Sequence, residues 1–303
     1  MPATAEVGVA GTETYITPNS SFYRIDTALV VPQLSPNVWR LRVHGMVDHE
    51  LELTFDDLLA RPMVERLITL TCVSNEIGGD LVGNARWLGT PLADLLREAG
   101  VQPGADQLVS RSFDGWTCGT PTAALLDGRD ALLAVGMNGE PLPVTHGFPA
   151  RLVVPGLYGY VSATKWVTEL ELTTFDAFDA YWVRLGWAQQ APIKTMSRID
   201  TPRGGNRPAA GRIPVAGVAW AQHRGVDRVE VQVDDEPWQD ARLADEPTVD
   251  SWRMWVYDWD ATAGSHRLRV RATDGTGQVQ TSDSADPIPD GATGWHTVFI
   301  DVR

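Results

Sequence analysis

The apolar residues of this chain follow one pattern before residue 190 and another after residue 210. In the later part strands and turns recur with almost no helical period, whereas the earlier part mixes strand-like and helix-like stretches. In VDRVEVQVDD, for example, Val229, Val231 and Val233 alternate with polar residues, as expected for a strand with one buried face. Such spacing over roughly 100 residues predicts a β-sandwich of immunoglobulin type for the later part.

The part before residue 190 combines strands with short helices. NVWRLRVHG predicts a strand with Trp39, Leu41 and Val43 on one face. LTFDDLLARP predicts a short helix, because Thr54 is a suitable N-cap and Asp57 takes the third helical position. The segments DALLAVGMNGEPLP, FPARLVVPG and TKWVTELELTTF predict further strands, and the first of them runs into an Asn-Gly turn.

A second and longer helix is predicted for LGTPLADLLREAGV. Thr90 would cap this helix, Pro91 would take its first position and Gly100 would end it. Its apolar face is formed by Leu92, Leu95, Leu96 and Ala99. The mixture of short helices, strands and irregular loops predicts an α+β fold for this part rather than a regular doubly wound sheet.

The change of pattern predicts two domains, residues 1–190 and residues 191–303. The stretch APIKTMSRIDTPRGGNRPAAG is rich in proline, glycine and arginine and is predicted to be the linker between them. With 303 residues, of which 43% are hydrophobic, the chain is long enough to build two cores.

The charge of the chain limits its partners. A formal net charge of −14 argues against non-specific binding to nucleic acid or to anionic lipid. Runs of about 18 apolar residues do not occur, so no membrane-spanning helix is predicted. The start, MPATAEVGVAGTE, lacks the basic and apolar stretches of a signal peptide. The compartment therefore stays open between a soluble cytoplasmic protein and an extracytoplasmic one whose export or membrane segment lies upstream.

Cys72, in RLITLTCVSNEIGG, is one of only two cysteines and stands at the predicted end of a strand. As a residue on the same face as Ile68 and Leu70, it is interpreted first as a small buried hydrophobe. The polar VSN and the flexible GG that follow also permit a nucleophile, a redox thiol or a ligand for a soft metal. A C-x-x-C motif is lacking, which excludes a dithiol redox site, and a bridge to Cys118 has no local support.

A cysteine hydrolase would need a histidine partner. The candidates are His44, His49 and His146, and no spacing rule selects among them. The residues alone therefore leave the chemistry of Cys72 open.

Several collinear segments resemble the sulfite oxidase family of molybdenum enzymes. They are ETYITPNSSFYRIDTALVVPQLSPNVWRLRVHG, LTCVSN, GNARWLGTPLADLLREAGV, MNGEPLPVTHGFPARLVVPGLYGYVSATKW and the terminal GWHTVFIDV. The resemblance implies that Cys72 is the protein ligand of molybdenum and that the metal is carried by molybdopterin. It also implies an immunoglobulin-like dimerisation domain at the C-terminal end, and hence a homodimer.

The resemblance also assigns residues to the pterin and its phosphate, which need cationic and hydroxyl donors around a concave site. These implied cofactor-binding residues are Tyr23, Arg24, Asp26, Thr27, Asp114, His146, Arg151, Ser162, Thr164 and Lys165. Tyr181, in FDAYWVRLGW, matches the family's active-site tyrosine and is an expected catalytic residue together with Cys72.

The sequence departs from the family where sulfite would bind. Glu76 and Ile77 stand where vertebrate-type sulfite oxidases carry a pair of arginines, and Ile25 stands where their loop arginine belongs. A desolvated carboxylate beside the metal would repel sulfite by several kcal/mol. Either another cation compensates or the substrate is not sulfite. The available candidates are Arg24, Arg86 and Arg111.

The resemblance implies an oxygen-atom transfer between the metal and a small oxyanion or sulfur-containing substrate. A C-x-x-C-H haem motif is lacking, so an external electron carrier is expected. The alternatives are a reductase of sulfoxides or other oxygenated substrates on the same cofactor, a cofactor-free binding or scaffold protein, and a cysteine hydrolase.

Overall fold

The computed structural model describes residues 3–303, and the first part of the chain forms two sheets joined by short helices. The strands of these sheets, in chain order, are β1 (Arg40–Gly45), β2 (Leu51–Thr54), β3 (Val64–Thr71), β4 (Val82–Pro91), β5 (Gln107–Ser112), β6 (Thr117–Pro121), β7 (Leu132–Met137), β8 (Glu140–Pro141), β9 (Arg151–Val153) and β10 (Val167–Thr173). The helices are α1 (Phe55–Leu59), α2 (Leu92–Ala99) and α3 (Thr122–Leu126). Short 3₁₀ turns cover Ala3–Ala5, Val144–His146, Gly159–Val161 and Val183–Leu185.

The two sheets of the first part have different strand orders. One runs β2-β1-β10-β5-β6, with β1 and β10 parallel and the other pairs antiparallel. The other runs β3-β4-β7-β8, with β9 also paired to β7, and is antiparallel throughout. Mixed pairing of this kind, with few and short helices, confirms the α+β prediction over a doubly wound sheet.

The structure confirms the buried face predicted for β1 and the cap predicted for α1. Trp39, immediately before β1, and Leu41 and Val43 within it are buried on one face. Thr54 and Asp57 form a complete capping box at the start of α1, in which each side chain accepts from the other residue's backbone N–H. Two orphan donors of this short helix are thereby satisfied.

The start of α2 differs from the prediction. Pro91 occupies the N-cap position, and no side chain caps the helix, because β4 continues through Thr90 directly into α2. Thr90 therefore has strand geometry instead of a capping role. The predicted apolar face is fully buried, and Gly100 ends the helix in the left-handed conformation with φ +72°.

The second part of the chain is a β-sandwich. Its strands are β11 (Met196–Thr201), β12 (Gly211–Trp220), β13 (Val226–Val233), β14 (Gln239–Asp240), β15 (Arg242–Leu243), β16 (Arg253–Ala261), β17 (Gly264–Asp274) and β18 (His296–Val302). One sheet runs β11-β12-β16-β15 and the other β14-β13-β17-β18. All pairs are antiparallel, which confirms the predicted immunoglobulin-like sandwich.

The predicted linker is wrong over part of its length. Met196–Thr201, which lies inside it, is a strand paired with β12, and most of its residues are buried. Arg198 and Asp200 made this stretch look exposed, but they pair with each other at 2.6 Å and are both buried. Strand β11 thus begins the sandwich only a few residues after the predicted boundary at residue 190.

A hydrophobic core joins the two parts. Trp220 and Trp252 from the sandwich are fully buried in the same cluster as residues from the first part, whereas Trp255 and Trp259 pack the sandwich interior. The Trp252 indole N–H donates to the Tyr15 carbonyl at 2.9 Å. Since large aromatic side chains cross the boundary, the two parts share one packed interior there. Within residues 3–303, no helix is both long and apolar enough to cross a bilayer.

Candidate active site

A cavity lies among six segments of the first part: residues 22–27, the end of β3 with the turn after it, the end of β5 with the β5–β6 loop, residues 146–151, residues 159–166 and residues 182–187. The predicted site residues that line it are Tyr23, Asp26, Thr27, Cys72, Asp114, His146, Arg151 and Lys165. Segments that are far apart in sequence thus meet around one concave space, as they do in cofactor sites.

Cys72 lies one residue beyond the end of β3 and faces this cavity. A tight turn fixes its backbone, because the Cys72 N–H donates to Leu81 at 2.9 Å and the Asn75 N–H donates to the Cys72 carbonyl at 3.0 Å. The buried Asn75 side chain accepts from the Leu81 N–H through its Oδ1 at 2.8 Å and closes the same turn. Burial raises the pKa of the Cys72 thiol, and hydrogen bonds from the Ser74 backbone and side chain partly oppose this rise. A bound cation would be needed to hold it as a thiolate.

The other cysteine has a different environment. Cys118 is fully buried on β6 and does not line the cavity. Its sulfur lies 3.9 Å from the Thr120 hydroxyl, and burial raises its pKa to about 11. Both cysteines are free thiols.

Arg151 is a buried cation without an acidic partner. Within the described residues no carboxylate lies at ion-pair distance from it, and its guanidinium donates only to backbone carbonyls, the shortest contact being 3.1 Å to His146. Its guanidinium also lies 4.9 Å from the centre of the Trp87 ring. Burial lowers its pKa to about 10, so the group stays charged at neutral pH. A buried charge in this state is costly unless an anion joins it.

Lys165 is the second cation of the cavity; it is half-buried and has a carboxylate partner. Its ammonium lies 2.6 Å from Asp26, which also pairs with Arg24 at 2.7 Å. Burial lowers the pKa of Lys165 to about 8, against the opposing effect of the Asp26 hydrogen bond. Burial disfavours the charged form of Asp26, but the hydrogen bonds from Arg24 and Lys165 outweigh it and lower its pKa.

Trp166, next to Lys165, has a backbone conformation that bulky residues rarely adopt. Its φ is +50°, and its indole N–H donates to the Val144 carbonyl at 2.8 Å. The Lys165 ammonium lies 4.7 Å from the centre of its ring. This strained residue lines the cavity, and strain of this kind is found where function requires a particular geometry.

His146 enters the cavity as a neutral ring. Burial and the nearby Arg151 lower its pKa to about 4. Its Nε2 lies 3.0 Å from the Asn19 carbonyl, which only accepts, so Nε2 carries the proton and Nδ1 is left as an acceptor. Tyr23 is also neutral, because burial raises its pKa.

Ser112 was not among the predicted residues, yet its hydroxyl is a notable feature of the cavity. The Ser112 oxygen is buried and has no hydrogen-bond partner among the described residues. Buried hydroxyls are normally satisfied, and an unsatisfied one at a cavity wall suits a bound polar group. Ser112 is the last residue of β5, two residues before Asp114 in the following loop, and strand periodicity alone gave no reason to single it out.

Four predicted site residues do not line the cavity. Arg24 is exposed and turned toward Asp26, so it contacts the site only through that carboxylate. The Ser162 hydroxyl donates to the Leu157 and Tyr158 carbonyls at 3.1 and 3.0 Å, and the Thr164 hydroxyl bonds to Ser110 at 2.6 Å. Tyr181 is 41% exposed and packs edge-to-face on Trp182. These groups are already paired or face solvent, and Tyr160 is the tyrosine that lines the cavity on this side.

The aromatic side of the cavity was missed by sequence reasoning. It consists of Trp116, Tyr160, Trp182 and Trp187. Ring centroids of Tyr160 and Trp187 lie 5.8 Å apart, and those of Trp182 and Trp187 lie 6.4 Å apart. The three tryptophans are half-buried, whereas Cys72 and Arg151 are buried, so this side is nearer to solvent. The cluster of aromatic letters in YWVRLGW was the available signal.

Comparison with known proteins gives this site its context. The chain matches the family model "Oxidoreductase molybdopterin binding domain" over residues 28–182. It therefore belongs to this family of molybdopterin-binding oxidoreductases.

Its relatives place it with the sulfite oxidase type. It is 31% identical to mitochondrial sulfite oxidase of Homo sapiens over 95% of this chain, and spans 62% of that protein's length. It is 36% identical to the uncharacterized oxidoreductase YuiH of Bacillus subtilis over 49% of this chain and 72% of that protein. The fold matches that of the sulfane dehydrogenase SoxCD from Paracoccus pantotrophus with a TM-score of 0.82 and 26% identity, covering 96% of this chain and 84% of that one. The resemblance to the sulfite oxidase family is thereby confirmed.

The residues of the cavity fit the cofactor that this family is named for. A cation without a carboxylate partner, Arg151, and an unsatisfied hydroxyl, Ser112, are the groups that a phosphate or a polar pterin edge would satisfy. Cys72 presents a sulfur, the ligand type suited to a soft metal, to the same space. Lys165 adds a second positive charge, held in place by Asp26.

Proposed function

We propose that this chain is the catalytic part of a molybdopterin-dependent oxidoreductase of the sulfite oxidase type. One observation supports this most directly: the Cys72 thiol shares a cavity with the cations Arg151 and Lys165 and with the unsatisfied hydroxyl of Ser112. When bound, the cofactor supplies a metal centre that exchanges an oxygen atom and a pair of electrons with substrate.

The residues of the chain bind and orient this cofactor. Cys72 would hold the metal, because the turn closed by Asn75 fixes its backbone at the end of β3. Arg151 and Lys165 would bind the anionic part of the cofactor, and Asp26 keeps the Lys165 ammonium in position. Ser112 would donate or accept a hydrogen bond at the cofactor's polar edge.

Partners and location follow from the same proposal. The site needs an external electron carrier and a small substrate that gains or loses oxygen. The domains proposed remain residues 1–190 for cofactor binding and residues 191–303 for dimerisation, so we propose a homodimer formed through the sandwich. Location in the cytoplasm and location outside it, with an upstream export or membrane segment, are both compatible with this function.

The test is the molybdenum content of protein expressed in a host that makes the cofactor. We expect about one molybdenum per chain in the wild type, and loss of the contribution of the Cys72 sulfur from the metal's X-ray absorption spectrum in Cys72→Ser, with the sulfurs of the cofactor itself retained. Cys118→Ser is the matched control, because Cys118 is also a buried free thiol but lies outside the cavity. It should retain both the metal and its sulfur signal.

Wild-type protein without molybdenum from such a host would contradict the proposal and leave Cys72 as a buried thiol. An unchanged sulfur signal in Cys72→Ser would contradict the assigned ligand while leaving the enzyme class intact.

A further inference from the structure

The charged groups of the cavity are balanced before any substrate enters. Its lining contains two cationic side chains, Arg151 and Lys165, and two carboxylates, Asp26 and Asp114. A cofactor phosphate would add negative charge and engage the cations first. We infer that the substrate of this site is an uncharged organic molecule with an apolar or aromatic body, rather than sulfite. This inference rests on the proposed function.

No other arginine nominated from the sequence supplies the missing positive charge. Arg24 is paired with Asp26, and Arg86 lies at ion-pair distance from Glu65 on the neighbouring strand β3. Arg111 donates to Glu171 at 2.6 Å and lies 4.9 Å from the Phe178 ring centre. None of the three lines the cavity. Each is engaged where it stands, so none compensates for the lost arginine pair.

The sandwich does not provide a cation either. Arg198 reaches the turn after Cys72, where it donates to the Gly79 carbonyl at 2.8 Å. Its remaining charge is taken up by Asp200 at 2.6 Å, and its side chain is buried away from the cavity. It therefore holds the turn in place instead of binding substrate.

Glu76 affects the site less than its sequence position suggested. Its side chain is exposed and does not line the cavity, so the desolvated repulsion considered from the sequence does not apply. The exclusion of an anion follows from the described cavity lining, which holds no cation beyond Arg151 and Lys165, the two that the cofactor would engage, and not from Glu76.

The aromatic side of the cavity also favours a substrate with an apolar or aromatic body. Trp116, Tyr160, Trp182 and Trp187 give the half-buried side of the cavity flat apolar walls. The Tyr160 hydroxyl is already used, since it donates to the Ala188 carbonyl at 2.7 Å. Rings of this kind favour stacking on an aromatic or apolar body, which sulfite lacks.

The interconversion of an organic sulfide and its sulfoxide is an oxygen-atom transfer on an uncharged substrate in which all atoms and electrons are accounted for. In the reductive direction the sulfoxide S=O bond breaks, two protons are consumed together with two electrons, one from each of two molecules of a one-electron carrier, and sulfide and water form. The oxidative direction is the reverse, with the carrier accepting the electrons.

The experiment compares probes of matched shape on holoenzyme whose molybdenum content has been measured. Methyl phenyl sulfone, which is uncharged, and sulfate are titrated calorimetrically as inert ligands. Methyl phenyl sulfoxide, its 4-carboxylate and sulfite are assayed for turnover with a viologen donor or a ferricyanide acceptor. We expect the sulfone to bind at least about tenfold more tightly than sulfate, and the 4-carboxylate to have a lower kcat/KM than the uncharged sulfoxide.

Variants identify the responsible residues. Trp182→Ala should weaken sulfone binding at least about fivefold, and Trp182→Phe, which keeps an aromatic ring, should restore most of it. Trp238→Ala is the matched control, because Trp238 is also a half-buried tryptophan in an aromatic pair but lies in the sandwich. It should bind the sulfone as the wild type does.

Tighter binding of sulfate than of the sulfone, no binding of the sulfone, or turnover of sulfite alone on a molybdenum-loaded enzyme would overturn this inference and leave the proposed function standing. Absence of molybdenum from the wild type would overturn both.

Discussion

Arg151 and Lys165 both lie in apolar surroundings, but the structure gives them different roles. Lys165 has Asp26 as a partner, whereas Arg151 has only carbonyls and an aromatic ring. Burying a charge without an acidic partner is unfavourable. Arg151 therefore raises the free energy of the unliganded protein, and an anionic ligand would remove this penalty. The sequence placed both cations near apolar residues, but which of them lacked a carboxylate was not visible in it.

A buried histidine, His146, and a half-buried one, His296, should make the chain sensitive to acid. Burial, together with the charges of nearby arginines, lowers the pKa of both His146 and His296 to about 4. His296 Nδ1 also accepts a hydrogen bond from the Ile199 N–H at 3.0 Å, which protonation would break. From the usual pKa of 6.5 down to about 4 the unfolded chain binds protons that the folded chain does not, so stability falls with falling pH in this window.

This is checked by measuring Tm between pH 7 and pH 4 on cofactor-free protein. His146→Gln and His296→Gln should each lose less Tm over this range than the wild type, whatever their Tm at neutral pH. Profiles parallel to that of the wild type in both variants would show that these rings do not carry the acid sensitivity.

At the scale of elements, the turn after Cys72 depends on contacts from the sandwich. Gly78 has φ +76°, and a Cβ there would collide with the His296 ring. The next residue, Gly79, receives the Arg198 hydrogen bond through its carbonyl. The turn that positions Cys72 is therefore shaped by its own glycines and by side chains that lie more than a hundred residues away in the chain.

Gly78→Ala should disturb this turn. An alanine with positive φ costs about 1 kcal/mol, and the collision with His296 adds to this cost. Gly115→Ala is the matched control, since Gly115 has φ +86° but open space around its Cβ position. We expect Gly78→Ala to lose at least about 1 kcal/mol more than Gly115→Ala in denaturant unfolding.

Loss of molybdenum from Gly78→Ala, with retention in Gly115→Ala, would show that the turn also governs cofactor binding. Equal unfolding free energies in the two variants would mean that His296 moves aside without cost, contrary to this prediction.

At the scale of the whole molecule, the sandwich supports the strand that leads to Cys72. The Gln222 amide donates to the Thr69 carbonyl and to the Thr71 hydroxyl, both at 3.0 Å. The Trp252 backbone N–H donates to the Thr69 hydroxyl at 2.7 Å. With the shared core around Trp220 and Trp252, these bonds couple the two parts during unfolding.

We therefore expect a single calorimetric transition with equal calorimetric and van't Hoff enthalpies per cooperative unit. Gln222→Ala should lower the unfolding free energy by about 1–3 kcal/mol, because it leaves buried groups on β3 without a donor. Gln232→Ala is the control, since the Gln232 amide donates only to Glu236 within the sandwich. Two separate transitions in the wild type would contradict this coupling.

Local patterns in the sequence were sufficient for most elements. Alternation identified β1 and β13, the capping box identified α1, and the Asn-Gly pair identified the turn after β7. These features depend on interactions between residues close in sequence, which composition and spacing record directly. The start of α2 and strand β11 were predicted wrongly, because a neighbouring strand decided the first and buried ion pairing the second.

The sequence by itself determined the family, the two kinds of domain and the cysteine at the end of a strand. Only the tertiary structure decided which polar groups face the cavity: Ser162 and Thr164 are used up by local hydrogen bonds, Tyr181 is turned to solvent, and Ser112 is left unsatisfied. The physical reason is that hydrogen-bond satisfaction and charge pairing depend on which groups meet in space. Such meetings join segments that are distant along the chain, and spacing within one segment carries no record of them.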